Sequence, residues 1–98
     1  MDEIVPTEFQ LSQNYPDPFK EYTTIKYCLP GKTNILLEVI DHKGRKVKVL
    51  VNEVKEPGKY TVVWNGRNND NNLVASGFYI CKIKAGKFIS IKKMLLLK

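Results

Sequence analysis

The chain has few of the residues from which active sites and metal centres are usually assembled. Its one histidine, His42, sits between Asp41 and Lys43 in a glycine-containing turn. No second histidine can complete a zinc site, or a dyad with Cys28 or Cys81, so His42 reads as a solvated loop side chain. Neither catalysis nor a cofactor is expected. Arginine is limited to Arg45 and Arg67, so the net charge of +6 rests on scattered lysines. Readers of nucleic acid lean on guanidinium forks, and no nucleic-acid partner is expected. Long apolar runs are also missing. Met94–Leu97 is far shorter than the roughly 18 residues of a spanning helix, so no membrane-spanning segment is expected. The start, "MDEIVPTEFQ", lacks the basic and apolar regions of a signal peptide. The chain therefore either stays inside the cell or was cut from a longer exported protein with Met1 added for expression; the second is expected, with residues 1–8 a linker or expression remnant and residues 9–98 the domain. Acidic residues stop at Asp70, leaving the final stretch "VASGFYICKIKAGKFISIKKMLLLK" without one.

What is present is alternation. Hydrophobic residues at 43% and charged residues at 27% are ordinary globular values, and 98 residues suit one domain. Ile25, Tyr27 and Leu29 alternate with Thr24, Lys26 and Cys28, and Ile35, Leu37 and Val39 with Leu36, Glu38 and Ile40. Each run offers one apolar face at the period of a strand. Val47, Val49 and Val51 continue the pattern, but Leu50 interrupts it, which predicts a bulge or an edge strand covered by a loop. Tyr60, Val62 and Trp64 share a face, as do Tyr79, Cys81 and Ile83 in a strand opened by Gly77. With a short strand near Phe9–Gln13 and a last one over Phe88–Leu97, about seven strands are predicted. Seven short antiparallel strands bury their apolar faces economically as two packed sheets, an immunoglobulin-like β-sandwich.

The same phases test the remaining chemistry. Cys28 falls on the face opposite Ile25, Tyr27 and Leu29, whereas Cys81 points inward, so two free thiols are expected rather than a bridge. The loop "NGRNNDNN" resembles a loose calcium loop in composition, yet it has one carboxylate and no ordered acid spacing. A turn held by asparagine side chains is the simpler expectation. Trp64, Tyr27, Tyr60 and Tyr79 share the core phase, which removes them from any sugar-binding or base-stacking platform.

Taken in order, "FQLSQNYPDPF", "TTIKYCLP", "ILLEVIDHKGRKV", "KYTVVWNG", "VASGFYICKIKAGKF" and "KKMLLLK" resemble the C-terminal sorting domain (type A) of type IX secretion cargo. That domain is related to the immunoglobulin-like domain of flagellar hook-capping proteins, and the resemblance spans Phe9–Lys98. It implies a non-catalytic signal that takes a larger cargo through the periplasm and across the outer membrane. The implied partners are the outer-membrane translocation machinery and a sortase-like peptidase that removes the domain, leaving cargo on the surface or in the medium. Asp41, Gly44 and Arg45 fit the family's Asp-x-x-Gly-Arg turn. The sequence departs from the pattern at Asp17 for Asn, Asn65 for Asp, Asn72 for Gly, and "KEYTT" after Phe19.

Recognition candidates are Gly44, Arg45, Gly77, Lys92, Lys93, Met94, Leu95, Leu96, Leu97 and Lys98. Four consecutive apolar residues put hydrophobes on both faces of the last strand. Either one face waits for a loop or partner, or the strand lies mid-sheet with both faces buried. Loss of Lys92–Lys98 is expected to spare most of the fold. Pro16 and Pro18 are expected to hold an extended segment, with Tyr15 and Phe19 clamping it to the sandwich. The isolated domain is expected to be a monomer. The alternative is an accessory adhesion or carbohydrate-binding module retained on a surface protein.

Overall fold

A computed structural model describes residues 6–98; five residues of the N-terminal linker expected at 1–8 lie outside the described residues. The elements are β1 (Gln10–Leu11), β2 (Thr23–Leu29), β3 (Thr33–Asp41), β4 (Lys46–Lys55), β5 (Gly58–Trp64), β6 (Gly77–Ala85) and β7 (Phe88–Leu96). They form two antiparallel sheets, ordered β1-β2-β5 and β4-β3-β6-β7. The protein is an all-β immunoglobulin-like sandwich.

Period-two alternation supplies the core. Ile25, Tyr27 and Leu29 from β2 meet Ile35, Leu37 and Val39 from β3 and Tyr79, Cys81, Ile83 and Ala85 from β6, all buried. Trp64, fully buried, lies edge-on between Phe19 at 5.5 Å and Tyr79 at 5.2 Å, so one ring ties both sheets to the N-terminal segment. Tyr60 is only partly buried and stacks on Tyr27 at 5.3 Å.

β4 carries the irregularity that Leu50 signalled. Register shifts fall between Leu37 and Glu38 and between Val39 and Ile40, so Val51 pairs with Leu37 and Val49 with Glu38, skipping Leu50. The extra residue changes the phase: Val47, Leu50 and Val51 pack on the core, while Val49 stands across from Glu38 on the outer face. β4 is also an edge strand with a loop against it. The Asn69 amide donates to the Val47 carbonyl, and the Asn69 side-chain oxygen accepts from the Val49 amide at 3.0 Å.

Three expectations need correction near the N-terminus. The first strand is Gln10–Leu11 rather than Phe9–Gln13, because the ladder with β2 is interrupted after Ser12 and returns only as an isolated bridge between Tyr15 and Thr24. Tyr15 does not clamp the segment: it is 80% exposed, and its backbone rather than its ring makes the contact, bridging to Thr24. Phe19 alone enters the core. The proline segment bends rather than running extended, and the Tyr15–Pro16 and Asp17–Pro18 peptide bonds are cis. Thr23 fills the inside of the bend, with its hydroxyl donating to the Pro16 carbonyl and accepting from the Asn14 amide group.

Candidate interaction surface at the terminal strand

β7 is the edge of the four-stranded sheet, so the mid-sheet alternative is not what the chain adopts. Met94 and Leu96 point inward and are fully buried, Leu95 is half-buried, and Leu97 is 47% exposed. The strand's outer edge is covered over its last turns by the segment before β2. The Gln13 side chain donates to the Lys93 carbonyl at 2.7 Å, and the Asp17 carboxylate accepts from the Leu95 amide at 3.0 Å. Phe19 then donates to the Leu95 carbonyl and accepts from the Leu97 amide, a short parallel bridge centred on Leu96. Asp17, where the family pattern has Asn, is thus an acceptor for a backbone N–H, a task either side chain performs.

Register brings several candidates to one end of the sandwich. Gly77 pairs with Leu96, and Asp41 pairs with Tyr79, which pairs with Met94. The turn containing Gly44 and Arg45 therefore shares an end with Gly77, Leu97 and Lys98. In that turn the Asp41 carboxylate accepts from the amides of Lys43 and Arg45 and from the Arg45 guanidinium at 2.8 Å. Those bonds, the Arg45 amide foremost, hold the Asp41 carboxyl below its usual range. Gly44 adopts φ +82°, a left-handed conformation that explains glycine here. Arg45 is thus an exposed charge committed to its own turn.

The lysines divide. Lys98 donates its amide to the Ser76 hydroxyl, holding the chain end against the start of β6. Lys93, one strand over, rests its ammonium 4.6 Å from the Phe78 ring centre. Lys92 is half-buried and pairs with Cys81. Beside Lys98 lies an open cleft of about 580 Å³, lined chiefly by Lys20, Tyr22, Arg67 and Leu73. Tyr22 and Leu73 are exposed apolar side chains that strand periodicity does not flag, since both lie outside strands; only their isolation in polar loops marks them.

The asparagine loop serves the fold. Asn68 Oδ1 accepts from the amides of Asp70 and Asn72, Asn65 Oδ1 accepts from Arg67, and Asn71 takes φ 64°. The Oδ1 atoms of Asn65, Asn68 and Asn69 are occupied by the loop's own N–H groups or by β4, so these three hold the turn. Trp64 Nε1 donates to the Arg67 carbonyl at 3.0 Å, anchoring the loop to the core.

Both cysteines are free: Cys28 is half-buried and Cys81 is buried. Burial pushes the Cys81 thiol up to about 12, which keeps it protonated and unreactive at neutral pH. A thiol reagent added to the native protein should label Cys28 readily, and Cys81 only after denaturation. Rapid native labelling of both, followed by mass spectrometry, would contradict the burial.

The chain belongs to the FlgD Ig-like domain family, whose profile matches residues 20–87. Two solved structures share the fold. PorZ, an essential bacterial surface component of the type IX secretion system of Porphyromonas gingivalis, matches over 92% of this chain at 22% identity with a TM-score of 0.60. Dimeric latent PorU from Porphyromonas gingivalis matches over 99% at 19% identity with a TM-score of 0.67. The chain spans 11% of the first and 10% of the second. No curated protein matches it.

Proposed function

We propose that the domain is a non-catalytic secretion signal that directs a larger cargo across the outer membrane by the type IX route and is removed afterwards by a sortase-like peptidase. On this reading it passes through the periplasm, and its cargo ends on the outer-membrane surface or in the medium. The carrying observation is the presentation of the chain end. Buried Met94 and Leu96 root β7 in the core, while Leu97 and Lys98 stand exposed beside the Lys20–Leu73 cleft. A receptor therefore meets this stretch in one fixed geometry. The FlgD Ig-like membership and the likeness to PorZ and PorU support the same context. Trp64, Tyr27 and Tyr79 are buried and so do not offer a carbohydrate-binding platform, while the exposed aromatic side chains Tyr15, Tyr22 and Phe78 are the ones a retained module would have to use.

The test fuses residues 1–98 to a periplasm-directed fluorescent reporter in a bacterium with type IX machinery. Beside it runs a variant carrying Leu97→Glu and Lys98→Glu, which leaves the buried residues in place. Delivery of the first fusion outside the cell, with the second folded but retained, is the expected result. Retention of both, while native cargo is exported, would overturn the proposal.

A further inference from the structure

The two outer faces of the sandwich differ. Among the strand residues of the β1-β2-β5 sheet, Val63 is the one large hydrophobe exposed, amid Thr24, Lys26, Lys59 and Thr61. The β4-β3-β6-β7 sheet is otherwise. Tyr79, Cys81 and Ile83 of β6 point inward, so alternation turns Phe78, Ile80, Lys82 and Lys84 outward. Their partners on β7 are, in the same order, Leu95, Lys93, Ile91 and Ile89. Each lysine therefore stands across from an isoleucine, and Phe78 from a leucine. Phe78, Ile89 and Ile91 are 48%, 55% and 56% exposed, and the Lys93 ammonium rests on the Phe78 ring. Hydrophobes and cations are mixed across one face.

Glu38 shows how closed that face is to water. It lies on the outer side, across from Val49 on β4 and Lys82 on β6, yet it is only 6% exposed and its Oε2 accepts no hydrogen bond from the described residues. A carboxylate outside a two-layer sandwich is ordinarily hydrated; here the neighbouring side chains shield it. The Lys46 ammonium, at 4.0 Å, sets one positive charge against it. Lys82 makes no ion pair with Glu38 although it lies across the ladder, and Lys84 and Lys93 have none among the described residues. The face keeps an excess of positive charge even with Glu38 counted.

The placement of the lysines selects the occupant. Protein interfaces concentrate tyrosine, tryptophan and arginine at their centres and exclude lysine, whose compact ammonium is strongly hydrated. This face has the opposite composition, with lysines inside the apolar field. A second copy would set lysine against lysine, and like charges across an interface are unfavourable. A lipid surface suits both groups at once: a lysine stem lies along the apolar boundary while its ammonium reaches back to the phosphates.

The geometry points to the outer face of the β4-β3-β6-β7 sheet as a docking surface for an anionic lipid bilayer. Phe78, Ile89 and Ile91 enter the headgroup boundary, and Lys82, Lys84 and Lys93 meet lipid phosphates. The face is distinct from Leu97, Lys98 and the cleft beside them, and it serves a retained module as well as a removed signal.

The test sediments the 98-residue chain with vesicles of phosphatidylcholine containing one third phosphatidylglycerol, and with phosphatidylcholine alone. Binding is expected on the anionic vesicles, weakened by salt, and about ten-fold or more weaker on the neutral ones. Lys84→Gln with Lys93→Gln should weaken it about twenty-fold, since a lysine at an anionic surface is worth roughly five-fold. Lys26→Gln with Lys59→Gln removes the same charge from the opposite sheet and should cost about two-fold at most. Ile89→Ser with Ile91→Ser should weaken binding about ten-fold. Should that pair unfold the chain, spin-labelled lipid reads the same contact in the native protein, broadening the methyl signals of Ile89 and Ile91 and leaving Val63 sharp. An absence of binding to anionic vesicles, as an acidic protein partner would give, would overturn the assignment. So would equal binding to both vesicle types, equal losses from the two lysine pairs, or broadening at Val63 in place of the isoleucines.

Discussion

Deleting Lys92–Lys98 should unfold the domain, contrary to the expectation that the end is dispensable to the fold. The deletion removes Met94 and Leu96, both fully buried, and the part of β7 that pairs with Gly77–Cys81. Emptying each buried site costs about 2–5 kcal/mol by analogy with large-to-small core substitutions, against a net stability of about 5–15 kcal/mol for a domain. Further losses come from the bonds that Phe19, Asp17 and Gln13 make to this strand, which hold the N-terminal segment across the sandwich. Circular dichroism of the truncated chain should show no cooperative melt. A melt close to that of the full chain would mean that β7 is peripheral after all. The practical consequence is that a truncated signal failing to direct export is uninformative, whereas Leu97→Glu with Lys98→Glu is not.

Trp64→Ala should be the most damaging single substitution, at about 3–5 kcal/mol, enough to lower the melting midpoint by roughly 15–30 °C in a domain of this size. The indole touches Phe19 and Tyr79 edge-on, and its Nε1–H is the bond that anchors the asparagine loop. Losing it empties the core beside Phe19 and frees Arg67, from which the loop runs on to plug β4 through Asn69. Trp64→Phe keeps an aromatic ring but loses that donor, and should cost about 1–2 kcal/mol. Thermal denaturation of the pair separates packing from anchoring. If the alanine variant melted within a few degrees of the parent, Trp64 would not be the link between the sheets.

Much of the interior was legible because alternation is a local property. A strand that buries one face must repeat every second residue, so Ile25–Leu29, Ile35–Val39 and Tyr79–Ile83 announced both the strands and their inward sides. The same logic placed Cys28 and Cys81 in different environments, and Leu50 betrayed the bulge in β4 by breaking phase. The candidate surface was less legible. Lys92–Lys98 stood out for its composition, but Tyr22 and Leu73 carry no period, and Tyr15 looked like a clamp although its ring faces solvent.

By itself, then, the sequence determined which residues turn inward, because burying alternate side chains is an energetic demand satisfied strand by strand. Only the tertiary structure decided which strands became edges and how each edge was closed. Those closures join Gln13 to Lys93, Asp17 to Leu95 and Asn69 to Val49. They satisfy backbone groups, which every residue carries alike, so no side-chain pattern along β4 or β7 announces where a closure falls.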